Sequence, residues 1–229
     1  MNRFLLAVFI LIFPVAGYWL LQTGKNHFRP LPFYGPKKLT GTFHSIRGKK
    51  IPDTNYYTLP DFKLLNQDSL EFTQNGMDTN TVYIAHFFYT RCSGLCPKVD
   101  EYLDSLVNKF KIHPDVKFLS MSLDPDFDKP SVLKAYAKKI RANTHQWYFL
   151  TGKPNQVQNL ARNAFFLNAL PRQADSSILH SPLLVLVDSK HRIRGYYDGT
   201  RMEEVKKLRD EIIVLRLEVL RKVTDIIQH

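Results

Sequence analysis

The sequence predicts an α/β protein: a central mixed sheet flanked by helices, preceded by a segment able to cross a membrane. Three observations carry that expectation. Two nearly continuous apolar runs, "VYIAHFFY" (82–89) and "VKFLSMSL" (116–123), have the β-branched and aromatic content of strands buried on both faces. Stretches with helical spacing of apolar residues follow each of them. Residues 4–21, "FLLAVFILIFPVAGYWLL", carry no charge over 18 positions, the short edge of what spans a bilayer core.

Taken in order, that first segment reads as an uncleaved anchor covering 1–24. Pro14 is tolerable inside a membrane helix, Tyr18 and Trp19 suit its interface, and no small-residue cleavage site follows Gly17. Arg3 on one side and Lys25, Arg29, Lys37 and Lys38 on the other leave the charge rule divided. The extreme N-terminal position of the segment is what puts the bulk of the chain outside the cytoplasm, as a single-pass protein of the cytoplasmic membrane. Residues 25–55, rich in Pro, Gly and Lys, read as a linker and polar extension, and 56–229 as the folded domain. Within it, "YTLPDFKLLNQDSLEFT" reads as a hairpin turning at Asn66, Gln67 and Asp68. After the strand 82–89, Pro97 can open a helix whose apolar face is Val99, Leu103, Leu106 and Phe110. The strand 116–123 leads to a helix at 129–140 with Pro130 near its start. "WYFLT" is a short strand, and 153–166 is expected to be helical. "LLVLVD" (183–188) and "RIRGYYD" (192–198) pair across "SKH". The last helix, 203–227, turns Val205, Leu208, Ile212, Leu215, Val219 and Val223 to one side. This order of elements is the thioredoxin-type plan.

Charge narrows the function. The formal net charge is +11, yet the basic residues form no arm. On the last helix Lys206, Arg209, Arg216 and Arg221 alternate with Glu203, Glu204, Glu211 and Glu218, the pattern of a solvated face rather than a nucleic-acid surface.

Both cysteines of the chain, Cys92 and Cys96, sit in "YTRCSGLCPK", between the first central strand and the helix. Three roles are open: a structural disulfide, a redox pair, or a soft-metal site. A bridge closing so small a loop adds little stability. At a helix N-terminus a thiol is more readily ionised, and thiolate is both the nucleophile of disulfide exchange and the ligand of Cu(I). A structural zinc site would need two histidines besides. Of the eight, His27, His44, His113, His145, His191 and His229 fall in linker, loops, turn or terminus, and His86 lies inside a buried strand. His180, in "SSILHSPLLVLVD", precedes the strand 183–188. In the thioredoxin-type plan the loop before that strand abuts the active cysteines, with a proline, often cis, where Pro182 stands. His180 is therefore the candidate third ligand.

These pieces together resemble the Sco (SenC/PrrC) family of membrane-anchored copper proteins. The matching residues are "FFYTRCSGLCPK", "VKFLSMSLDPDFDKPSVLKAYAKK", "WYFLTG", and His180 with the strand and "YYDGT" after it, running from about Tyr56 to Ile227 in the family's order. The resemblance implies a thioredoxin-like domain outside the cytoplasmic membrane that binds Cu(I) or Cu(II) through Cys92, Cys96 and His180. It also implies a part in maturing the binuclear copper centre of cytochrome c oxidase, by copper delivery, thiol reduction of the recipient, or both. Partners would be the subunit bearing that centre or another copper chaperone. The alternative is an extracytoplasmic thiol–disulfide oxidoreductase using Cys92 and Cys96 as its redox pair, without copper. A peroxidase-like or sensor protein would share the plan. The chain departs from the family where a proline usually follows the first cysteine: the insert here is Ser93, Gly94 and Leu95, which should leave the sulfurs less preorganised. Asp124 and Asp128 match the family's turn, which reads as the end of a strand or as support for the site.

Overall fold

The structure, a computed structural model, describes residues 12–14, 17, 30–46, 49–153, 155–167 and 181–227. The chain divides into two units, Met1–Pro30 and Leu31–His229. In the first, residues 12–14 and 17 are helical. The rest of the expected anchor lies outside the described residues, among which no helix is long and apolar enough to cross a membrane.

The second unit is built on a seven-stranded mixed sheet. Its elements are β1 (Lys37–Ile46), β2 (Lys49–Tyr56), β3 (Lys63–Asn66), β4 (Glu71–Thr73), β5 (Val82–Phe88), α1 (Cys96–Lys109), β6 (Val116–Ser122), α2 (Pro130–Lys139) and β7 (Trp147–Thr151). After them come α3 (Gln156–Asn159), β8 (Leu183–Val187), β9 (Ile193–Asp198) and α4 (Met202–Ile227). The sheet runs β4-β3-β7-β6-β5-β8-β9. The crossovers through α1 and α2 make β5, β6 and β7 parallel, while β8 returns antiparallel to β5 with His86 opposite Leu184. All seven residues of β5 are buried. Val82, Ile84 and Phe88 pack with α1, α2 and α4, whereas Tyr83, Ala85 and Phe87 pack with Leu59, Phe62, Val157 and Phe165 on the other face. Two covered faces explain the absence of polar alternation in that run.

Most of the elements lie where the sequence placed them. Pro97 falls in the first turn of α1 and Pro130 opens α2, positions where a missing N–H costs nothing. The β3–β4 turn runs on to Leu70, two residues past the expected triplet, and Asn66 Oδ1 accepts from the amides of both Asp68 and Leu70. The expected helix over 153–166 is shorter: α3 widens at once into a π turn, Leu160–Ala164.

Two features differ from expectation. The segment read as linker and extension contains structure: β1 and β2 form a separate antiparallel hairpin, with a register shift between Leu39 and Phe43. Before it, residues 31–34 are strapped to the domain. The Leu31 amide donates to Glu218 Oε1 at 3.0 Å. Arg194, 1% exposed, donates to the carbonyls of Leu31 and Pro32 and to the carboxylates of Asp188 and Glu218, and the ring of Phe33 lies 4.2 Å from its guanidinium. These partners are more than 150 residues away from Leu31 and Pro32 in sequence, so no local pattern announces them. Also, no cis peptide occurs among the described residues, so Ser181–Pro182 is trans, the ordinary preference even before proline.

Candidate functional site

The cysteine loop leaves the end of β5 and is held on two sides. On its entry side the Thr90 amide and hydroxyl both donate to Asp128, and the Ser122 hydroxyl at the end of β6 donates to the same carboxylate. Asp128 is fully buried, so its charge is held by these three donors rather than by water. Arg91 pairs with Asp124 and stacks 4.1 Å from the ring of Phe127. The aspartates of the expected strand-ending turn are thus the fasteners of the loop that carries Cys92.

The Cys92 amide donates to the carbonyl of Tyr89 at 3.1 Å, closing a tight turn, and the chain reaches α1 through exposed Ser93, Gly94 and Leu95. Neither backbone nor space demands glycine at position 94: its φ is not positive, and a Cβ there would meet nothing within 4 Å. Cys96 is the first residue of α1, with Leu95 as its cap. The two cysteines are joined as a disulfide with Cα atoms 5.9 Å apart. Their environments differ sharply. Cys96 is wholly buried in the core, whereas Cys92 is partly exposed. An incoming nucleophile therefore meets the Cys92 sulfur, and Cys96 is the sulfur that departs into a helix N-terminus, where thiolate is favoured.

The other half of the expected site is only partly in view. His180 lies outside the described residues, and among the described residues no three His, Cys, Asp or Glu side chains gather as a metal site. Just past His180 the chain enters β8, which is antiparallel to β5, so its first residue and the start of the cysteine loop are at the same end of the sheet. The carbonyl of Pro182 accepts the Gly199 amide at 2.9 Å, and a Cβ on Gly199 would press on both that carbonyl and Val99 of α1. His86 is buried in β5 beside Phe88, as a core histidine would be.

Two residues that the sequence pattern does not single out stand next to the cysteines. Asp100, one turn after Cys96 on α1, is 5% exposed and accepts a hydrogen bond from the Tyr136 hydroxyl of α2. Burial pushes its carboxyl up to about 6, the Tyr136 hydrogen bond opposing. Burial and the neighbouring carboxylate push the Tyr136 hydroxyl upward too. The available signal was an acidic residue adjoining the apolar stripe of a helix that opens with a cysteine.

With this geometry in hand, comparison with known proteins is specific. The SCO1/SenC family model matches residues 52–212. A SCO1/SenC family lipoprotein from Bacillus anthracis str. Ames superposes with TM-score 0.64 at 26% identity, covering 69% of this chain and 95% of that one. BsSco, described with a disulfide switch as a member of the Sco family of cytochrome c oxidase assembly proteins, gives TM-score 0.62 at 24% identity over 70% and 94% of the two chains. ScoI of Arabidopsis thaliana, solved with copper bound, gives 0.59 at 22% identity over 71% and 99%.

Proposed function

Since this chain belongs to the SCO1/SenC family, we propose that it is a copper-binding protein that helps to mature the binuclear copper centre of cytochrome c oxidase. The observation that carries the reading is the cysteine pair itself: one buried and one partly exposed sulfur at the start of a helix, on a loop fastened by Asp128. The copper of Arabidopsis ScoI and the assembly role of BsSco support it. Copper is the cargo here. As a disulfide the pair offers no thiolates, while reduction gives two soft donors suited to Cu(I). The third ligand in this proposal is the neutral imidazole of His180, a reading supported by β8 starting, three residues later, at the cysteine end of the sheet. Residues 4–21 attach the protein to the cytoplasmic membrane with its domain outside the cytoplasm, in keeping with the lipoprotein relative.

The disulfide favours a second activity of the same residues: reducing the recipient's cysteines. The Cys92 thiolate attacks a recipient disulfide, and one recipient sulfur leaves and takes a proton. Cys96 then attacks Cys92, releasing the second recipient thiol. The recipient gains two electrons and two protons, and Cys92–Cys96 is the oxidised product.

An anaerobic Cu(I) titration of the reduced protein, with thiols counted before and after, tests the reading. One copper per chain is expected when reduced and none when oxidised. Cys92→Ser or Cys96→Ser should abolish tight binding, and His180→Ala should weaken Cu(II) more than Cu(I), because two thiolates can hold Cu(I) alone. Unaltered binding in both cysteine variants would remove the copper site and leave the oxidoreductase.

A further inference from the structure

A cavity of about 330 Å³ opens beside the cysteine pair, and its walls include Cys92, Asp100, Glu101, Asp104, Tyr136 and Lys139. Its chemistry is unusual for this chain. Three carboxylates face one ammonium there, on a protein whose formal charge is +11. Asp100 is the group that asks for an explanation. It is only 5% exposed, its Oδ2 accepts from Tyr136, and its Oδ1 has no hydrogen-bond partner among the described residues. A buried carboxylate left half satisfied costs stability that an isosteric apolar side chain would not. Its position adjoins the one sulfur of the pair that a partner can reach.

We propose that this cavity is a recognition pocket for a cationic side chain, lysine or arginine, of the thiol-bearing partner, seated against the Asp100 carboxylate while the partner's sulfur meets Cys92. The inference rests on the reading of Cys92 as the exchanging sulfur. An ammonium or guanidinium supplies the countercharge that the half-satisfied Asp100 carboxylate lacks, and Glu101 and Asp104 draw it in against the repulsion of the rest of the molecule. The pocket thus gives the otherwise basic protein a local preference for basic partners.

Small thiols of different charge test this on the full chain, oxidised, at pH 8, where Asp100 is ionised. The probes are cysteamine, 2-mercaptoethanol and 3-mercaptopropionate, with rates expressed per thiolate. In each case the thiolate attacks Cys92 Sγ and the bond to Cys96 breaks. The electron pair leaves on the Cys96 sulfur, which takes a proton from water, and a second thiol completes the reduction with release of the external disulfide. Cysteamine should open the bridge about tenfold faster than 2-mercaptoethanol, the size of one charge-assisted contact, and 3-mercaptopropionate should be slowest. Asp100→Asn should bring the cysteamine advantage to near one, while Tyr136→Phe, which keeps the carboxylate, retains it. Equal rates for the three thiols, or an advantage that persists in Asp100→Asn, would overturn the pocket and leave exchange at Cys92 standing. If none of the thiols opens the bridge, both the pocket and the exchange reading fall.

Discussion

The two sides of the cysteine loop each hold a buried aspartate, and the two carboxylates are treated in opposite ways. Asp128, on the entry side, is fully buried and receives the Thr90 amide, the Thr90 hydroxyl and the Ser122 hydroxyl. Asp100, on the exit side, is nearly as buried but among the described residues receives only Tyr136, with one oxygen left over. A buried charge with both oxygens engaged fixes geometry. A buried charge with one oxygen to spare is a cost the fold carries for something outside itself. The entry side is architecture, and the exit side is poised for a visitor.

Three substitutions sharpen or break that contrast. The largest effect is expected at Asp128. Asp128→Ala strands three donors at once and should cost about 3–5 kcal/mol, read as a lower denaturant midpoint. A loss under 1 kcal/mol would mean that the entry side is not held as described. Next is Asp100→Asn, with the opposite sign. The folded carboxyl is raised from 3.8 to about 6, so the folded state binds its proton more tightly and wild-type stability falls as pH rises through that window. Removing the charge should stabilise the protein above pH 7 by up to about 3 kcal/mol, and the gain should vanish below about pH 4. Denaturation at pH 4 and pH 8 checks it. A variant less stable than wild type at pH 8 would make Asp100 structural, like its counterpart. The smallest effect belongs to Arg91→Ala. Its side chain is 41% exposed and paired with Asp124, so a change within about 1 kcal/mol is expected.

The sequence showed the central sheet well because β5 and β6 are largely covered on both faces, and strands so buried are apolar at most of their positions. It also showed the cysteine loop, since the spacing and Pro97 are local signals. It did not show what Asp128 and Asp100 do. Thr90 lies 38 residues from Asp128, and Asp100 lies 36 from Tyr136, so each partnership exists only once β5 has paired with β6 and brought the segments that follow them together. The hairpin β1–β2 was hidden for a different reason. Leu39 and Phe43 remain exposed in it, so no burial pattern marks its strands, and its lysines read as linker.

The strap formed by residues 31–34 has a consequence for anyone who cuts this chain. Arg194 is closed in by Leu31, Pro32 and Phe33 from before the family-matched region and by Glu218 from after it. A fragment trimmed to 52–212 would keep every strand of the main sheet yet leave the Arg194 guanidinium with Asp188 as its one remaining partner of those described, its other donors opened to water. The smallest piece that keeps all of that cation's described partners runs from Leu31 through Glu218. The sequence boundary of the family and the physical boundary of the domain are two different cuts.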